Sequence, residues 1–174
     1  MIVQEKNRLE KQDNPARSWI EDSLAFLQHQ KHQVEQEMET CVRASSELQE
    51  AVDVLTSLKG VGFLTACVVL AELPEIGWLE NGQIAKLVGV APLNRDSGRS
   101  QGKRMIAGGR KDLRNTLYFA ALPAIRFDPI LRAFYDRLRE RGKPGKVAVV
   151  AVVRKMVTIL NARMRDHYAL QLDS

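Results

Sequence analysis

Between Pro15 and Leu55 the chain has no glycine and no further proline, and its apolar positions step by four and three. They run Ile20, Leu24, Leu27, then Val34, Met38, Cys41, then Leu48, Val52, Leu55, with Lys31 and Ser45 holding the two intervening seam positions. A repeat of about 3.5 residues sustained over about five heptads is that of a coiled coil, not of one amphipathic helix on a globule. The pattern therefore predicts one long helix that pairs with another chain or with a second helix. The competing arrangement is a long helix packed on its own body. Lys31 and Ser45 lower the stability of such a seam and help choose its register and partner number. The short segment Glu5–Leu9 reads as the tail of an earlier helix.

Past Leu55 the period changes. Leu55 and Leu58 end an apolar helix, Gly60-Val61-Gly62 makes a turn, and a second apolar helix follows with Ala66 at a close-packing position. Glycines at such a turn let a phosphate approach the main-chain N–H groups of the new helix, while Val61 points inward. This is the pattern of a helix-hairpin-helix, which grips a nucleic-acid backbone without reading bases. A plain αα-hairpin needs glycines too. Ile84–Val90 resembles a second, half-formed copy.

Leu113, Leu117, Ala120, Ala121 and Ala124 mark a further helix, which Asp128-Pro129 breaks. A helix through Leu131, Phe134, Tyr135 and Leu138 comes next, then the basic turn Gly142–Lys146, and a closing helix over Val147–Met164 that carries Arg154 and Lys155. The β-branched run Val147–Val153 suits a strand by propensity. Its continuation at helical spacing through Asn161 favours helix. Phe127, Phe134 and Tyr135 read as core. The fold class is all-α: an arm over residues 1–53 and a compact helical domain over 54–174.

Composition adds little to this; charge adds more. With 45% hydrophobic and 27% charged residues, the chain is an ordinary globular protein. It has no apolar run near the ~18 residues a membrane span needs and no apolar leader at its start. Cys41 and Cys67 are isolated, which suggests neither disulfide nor zinc and fits a cytoplasmic setting. Residues 1–53 hold six basic and eleven acidic side chains, a balance of −5, whereas the rest holds 20 basic and 10 acidic, a balance of +10. A strongly basic body points to a polyanion, nucleic acid first among them.

The most unusual stretch is Ala91–Gly109, with Pro92, Gly98, Gly102, Gly108 and Gly109 interleaved with Arg95, Arg99, Lys103 and Arg104. Arg110, Lys111 and Arg114 continue the basic run. At its centre lies Asp96-Ser97-Gly98-Arg99-Ser100. A hydroxyl on a glycine-hinged loop, ringed by guanidinium groups, suits attack on a phosphodiester, because arginines neutralise the phosphoryl oxygens as charge builds. The same residues suit passive phosphate binding. A Ser-His-Asp site is excluded on spacing, since His29, His32 and His167 lie far along the chain. The candidate contacts to nucleic acid are Lys59, Gly60, Gly62, Arg95, Arg99, Lys103, Arg104, Arg110, Lys111, Arg114, Lys143, Lys146, Arg154 and Lys155.

These strings also occur in an order that carries its own information. Leu55–Ala66 is followed by Leu70–Gly77, Gly89-Val90-Ala91-Pro92, Arg95-Asp96-Ser97-Gly98 and Gly102-Lys103-Arg104, then by Gly108-Gly109-Arg110 and Leu117–Ala121. Asp128-Pro129, Phe134–Leu138, Gly142-Lys143 and Arg154-Lys155 complete it. Over about residues 54–165 the chain resembles the C-terminal transposase domain of the bacterial insertion-sequence family related to Piv-type DNA invertases, and residues 1–53 resemble that family's linker and coiled coil. The resemblance implies DNA strand breakage and rejoining, with Ser97 as nucleophile, and, as in some members, guidance by a structured RNA. Asp128 stands where Asn is expected in many relatives. Full-length members carry a RuvC-like domain whose four acidic residues bind divalent metal. Here nothing precedes the arm, so the chain alone is expected to hold no metal or cofactor and to be inactive, Mg2+ entering through that domain. Its expected partners are DNA, a guide RNA and further copies of itself through the coiled coil, with no membrane. The reading from another class is a non-catalytic helix-hairpin-helix adaptor that dimerises through its arm.

Overall fold

A computed structural model of the chain describes residues 1–9, 16–92, 106 and 108–172. Its described residues form α1 (Ile2–Leu9), α2 (Arg17–Arg43), α3 (Ser46–Thr56), α4 (Phe63–Glu72), α5 (Asn81–Val88), α6 (Lys111–Phe127), α7 (Pro129–Glu140) and α8 (Gly145–Leu172). No strand occurs among them, so the protein is all-α as its patterning predicts. The chain divides into two compact units, Met1–Gln49 and Glu50–Ser174.

In the first unit α1 packs on α2. Ile20 and Leu24 of the predicted seam are buried, whereas Lys31, Val34 and Cys41 are exposed. The single helix expected from Pro15 to Leu55 does not form. It stops at Arg43 and restarts at Ser46. The reason is local: the Ser45 hydroxyl accepts a hydrogen bond from Leu48 N at 3.3 Å, and its carbonyl accepts from Gln49 N at 3.0 Å. Serine competes with helix-interior hydrogen bonding and favours helix starts. Ser45 is therefore a helix start, not a polar residue inside a continuous seam.

The second unit is built around α8, which packs against α5, α6 and α7. Ala148, Val152, Val153, Met156, Val157, Leu160 and Met164 are all at most 1% exposed. The β-branched run that opens α8 is thus a core helix, its propensity overridden by burial on the facing helices. From α6 come Leu113, Leu117, Ala120, Ala121 and Ala124. α6 packs against both α4 and α8, and its small alanines suit that close packing. Asp128 separates α6 from α7, its Oδ1 accepting from Ile130 N at 2.9 Å and Leu131 N at 3.0 Å. With Pro129 at the first helical position, this is an N-cap that Asn would also make.

Among the described residues, Asn161 is the buried polar side chain of this core. It accepts from Gly77 N at 2.8 Å and donates to Leu79 O at 2.9 Å and Asn81 Oδ1 at 3.2 Å. The loop between α4 and α5 is thereby pinned to α8. Trp78 stacks on Tyr168 with ring centres 5.1 Å apart. Gly77, at φ +87°, leaves room for that ring, since a Cβ there would lie 2.8 Å from it.

Candidate nucleic-acid interface

The hairpin begins where α3 ends at Thr56. Leu58 and Val61 are buried, and Val61 N donates to Leu58 O at 3.0 Å, closing the turn. Gly60 has φ +94°, and a Cβ on it would meet Ala120 O and Ala124 Cβ at 2.6 Å. Its glycine is demanded twice, by a left-handed backbone and by contact with α6. Gly62 is different. It caps α4 in extended backbone, φ −90° and ψ 174°, with no side chain capping the helix. A Cβ there would meet nothing within 4 Å.

The first intrahelical bond of α4 is Ala66 N to Gly62 O, so the N–H groups of Phe63, Leu64 and Thr65 point out of the helix without a partner four residues back. In front of them is open space, at the positive end of the helix dipole. Lys59 is exposed on the turn, and beside it Arg163 of α8 donates to the Ser57 hydroxyl at 2.6 Å. Lys59, Ser57 and Arg163 thus belong to the turn that leads into α4. Arg163 was not legible as part of it, because it lies more than a hundred residues along the chain.

The half-formed copy at Ile84–Val90 is not a second hairpin. Gly89 is the left-handed C-cap of α5, and it serves a clamp. A Cβ on Gly109 would collide with the Gly89 backbone and come within 2.7 Å of Leu87 O. Arg110 N donates to Leu87 O at 2.9 Å. Arg114 Nη1 donates to Gly108 O at 2.6 Å, with Gly89 O at 3.5 Å. The backbones at 89 and 108–109 are thus held in contact, and they flank the stretch that carries Ser97.

Arg110 completes the clamp through two 2.7 Å bonds to the Glu75 carboxylate. Hydrogen bonding to Arg110 holds the Glu75 carboxyl at about 2, well below the ordinary value. The same bond raises the Arg110 pKa. Glu75 therefore has a role that no sequence pattern assigned.

The predicted contacts are distributed as follows. Lys59, Gly60 and Gly62 meet at the hairpin. Arg110 and Arg114 use guanidinium donors inside the clamp, while Lys111 is exposed beside them. Lys143 and Lys146 are exposed at the turn into α8, as is Arg154 further along that helix. Lys155 sits over the Phe134 ring at 4.8 Å. Ser97, Arg95, Arg99, Lys103 and Arg104 lie outside the described residues. Among the described residues no three His, Cys, Asp or Glu side chains gather as metal ligands, and no helix is long and apolar enough to cross a membrane.

Comparison with known proteins bears on this arrangement. The family model described as Transposase IS116/IS110/IS902 matches residues 52–136. A 43.6 kDa protein of insertion element IS110 from Streptomyces coelicolor is 32% identical over 83% of this chain and 36% of its own length. A 42 kDa protein of insertion element IS900 from Mycobacterium paratuberculosis is 36% identical over 66% of this chain and 30% of its own. The pilin gene-inverting protein of Moraxella bovis is 25% identical over 95% of this chain and 53% of its own. The chain therefore spans between about a third and about a half of these relatives.

Proposed function

Since the chain belongs to the IS116/IS110/IS902 family of transposases, we propose that it is the nucleic-acid-handling part of a recombinase that breaks and rejoins DNA. The observation that carries the reading is the N-terminus of α4. It presents N–H groups behind Gly62 and is uncapped by any side chain, and it follows a turn on which Lys59 is exposed and Arg163 bonds the Ser57 hydroxyl. A phosphate there receives main-chain hydrogen bonds and dipole stabilisation without any base being read.

Ser97 is the nucleophile of this reading. Its Oγ attacks a DNA phosphorus, the Oγ–P bond forms as the bond to the 3′ oxygen breaks, and the serine becomes esterified to the 5′ phosphate. Arg95, Arg99 and Arg104 offset charge on the phosphoryl oxygens. The Gly89–Gly109 contact, Arg114 and the Glu75–Arg110 pair fix the flanks of that stretch. In this reading the serine proton goes to a carboxylate of the RuvC-like domain that the resemblance implies for full-length members, a domain that would also hold Mg2+. A structured guide RNA and further copies, paired along the exposed Lys31–Cys41 stretch of α2, are the proposed partners.

Two measurements test the reading. The chain alone should bind DNA with affinity that falls steeply with salt and leave it uncut. A protein that also carries the carboxylate domain should form a protease-sensitive DNA adduct that disappears in Ser97→Ala. Normal recombination by Ser97→Ala, or an adduct through Ser100, would sink it.

A further inference from the structure

Helix α6 buries one side in the core and leaves an apolar side uncovered. Phe119 and Phe127 are 68% and 60% exposed, and Leu122 between them is 44% exposed. With exposed Pro123 and Arg126 they recur at three- and four-residue spacing, so they share one face. Arg126 lies over the Phe127 ring at 5.3 Å, and Tyr118 meets Phe119 edge-on at 6.1 Å. The sequence pattern assigned Phe127 to the core; it is on the surface.

What fits this face is constrained by its surroundings. The hairpin turn rests on the same helix, Gly60 abutting Ala120 and Ala124, within one turn of Phe119, Pro123 and Phe127. A backbone held at the hairpin would therefore lie close to α6. The body is strongly basic, with 20 basic against 10 acidic residues over 54–174, and this balance favours an anionic occupant over a second copy. The occupant must be anionic and carry flat apolar groups.

We propose that Phe119 and Phe127 form a stacking platform for unpaired bases of a nucleic acid whose backbone lies at the hairpin. Arg126, already seated on one ring, pairs with the adjoining phosphate. Every base has a π-face, so the platform tolerates sequence. It distinguishes melted or looped strands from duplex, in which the bases are already stacked. The inference rests on the hairpin reading above and extends it from backbone grip to strand state.

The test uses the full chain, a fluorescein-labelled single strand of 20 thymidines, and a labelled 20-base-pair duplex of mixed sequence. Binding is followed by anisotropy at low salt, and stacking by the emission of a 2-aminopurine placed in the strand. Phe119→Ala and Phe127→Ala should each weaken single-strand binding about tenfold, since a stacked base contributes ~1–3 kcal/mol, and should leave duplex binding unchanged. Phe119→Leu and Phe127→Leu should lose as much as the alanine variants, and the 2-aminopurine quenching should vanish in both sets. Unchanged single-strand affinity overturns the proposal, as does full affinity in the leucine variants. A change in sedimentation with no change in binding would show that a copy of the chain covers the face instead. Wild-type protein that binds duplex but not single strand overturns the platform and leaves the hairpin reading standing. Protein that binds neither brings both down.

Discussion

Glu75, in the loop after α4, receives both terminal nitrogens of Arg110, the residue immediately before α6, at 2.7 Å each. The fork-on-carboxylate geometry gives direction as well as attraction. It ties a loop already held to α8 by Asn161 to the entry of α6. Three helices are thereby indexed to one another at the place where the Ser97 stretch rejoins the core.

That pair makes folding pH-dependent in a stated direction. A carboxyl held at about 2 in the fold and near the ordinary ~4.3 when unfolded stabilises the protein above the ordinary value. The contribution is lost as pH falls from there towards about 2. Both partners are about a third exposed, so solvent screening keeps it to about 1 kcal/mol or less. Glu75→Gln should lower the urea midpoint at pH 7 and flatten its decline between pH 5 and pH 2. A Glu75→Gln profile parallel to that of the wild type over this window would refute the assignment.

The clamp predicts an asymmetry between two adjacent glycines. Gly108 and Gly109 both have positive φ, +71° and +69°, so alanine at either carries the left-handed penalty of about 1–2 kcal/mol. Only at 109 does the new Cβ also strike backbone, at Gly89 and Leu87. Rigid backbone cannot move aside as a side-chain tip can, and overpacking adds about 1–3 kcal/mol. Thermal melts should therefore rank Gly109→Ala well below Gly108→Ala, and equal melting temperatures would mean that the two backbone segments do not touch.

Asn161 gives a third expectation. Asn161→Leu keeps the volume but leaves Gly77 N without its acceptor and Leu79 O without one donor. A buried unsatisfied group costs about 1–3 kcal/mol. Leu79 O keeps its bond from Arg165 Nη2 at 3.1 Å, so the variant should be destabilised by roughly that much for Gly77 N alone, with faster hydrogen exchange at Gly77 N–H. Unaltered exchange there would show that water or backbone satisfies the loop without Asn161.

These cases mark what the sequence could and could not convey. The helices of the second unit were legible because burial imposes a 3.6-residue period, as with Leu113, Leu117 and Ala124. The split of α2 from α3 was not, because Ser45 falls on the seam, and a side-chain period is blind to a hydroxyl that caps the next turn. Asn161 showed only as a polar residue in an apolar run, its three partners lying 80 or more residues away. Glu75 and Arg110 were each present in recognisable strings, yet nothing local pairs them. The clamp glycines were visible as glycines, but the backbone they admit is a property of the folded chain alone.

The hairpin supplies the sharpest separation of structure from binding. Gly60 and Gly62 look alike in sequence and differ in what surrounds them. Gly60→Ala puts a Cβ against Ala120 O and Ala124 at a positive φ, so it should destabilise the protein by several kcal/mol, lowering DNA binding only through lost fold. Gly62→Val meets no protein atom within 4 Å of its new Cβ and keeps a backbone conformation any residue adopts. It should therefore retain the wild-type urea midpoint to within about 0.5 kcal/mol, the usual range for surface changes. The branched side chain would nevertheless stand in front of the N–H groups of Phe63, Leu64 and Thr65, where a phosphate must come close. Duplex affinity at low salt should fall about tenfold in a folded protein, with the salt slope reduced by about one phosphate contact. Lys59→Ala should reduce the slope similarly while leaving the N-terminus of α4 open. A folded Gly62→Val protein that binds duplex as tightly as wild type would show that the phosphate does not sit at α4.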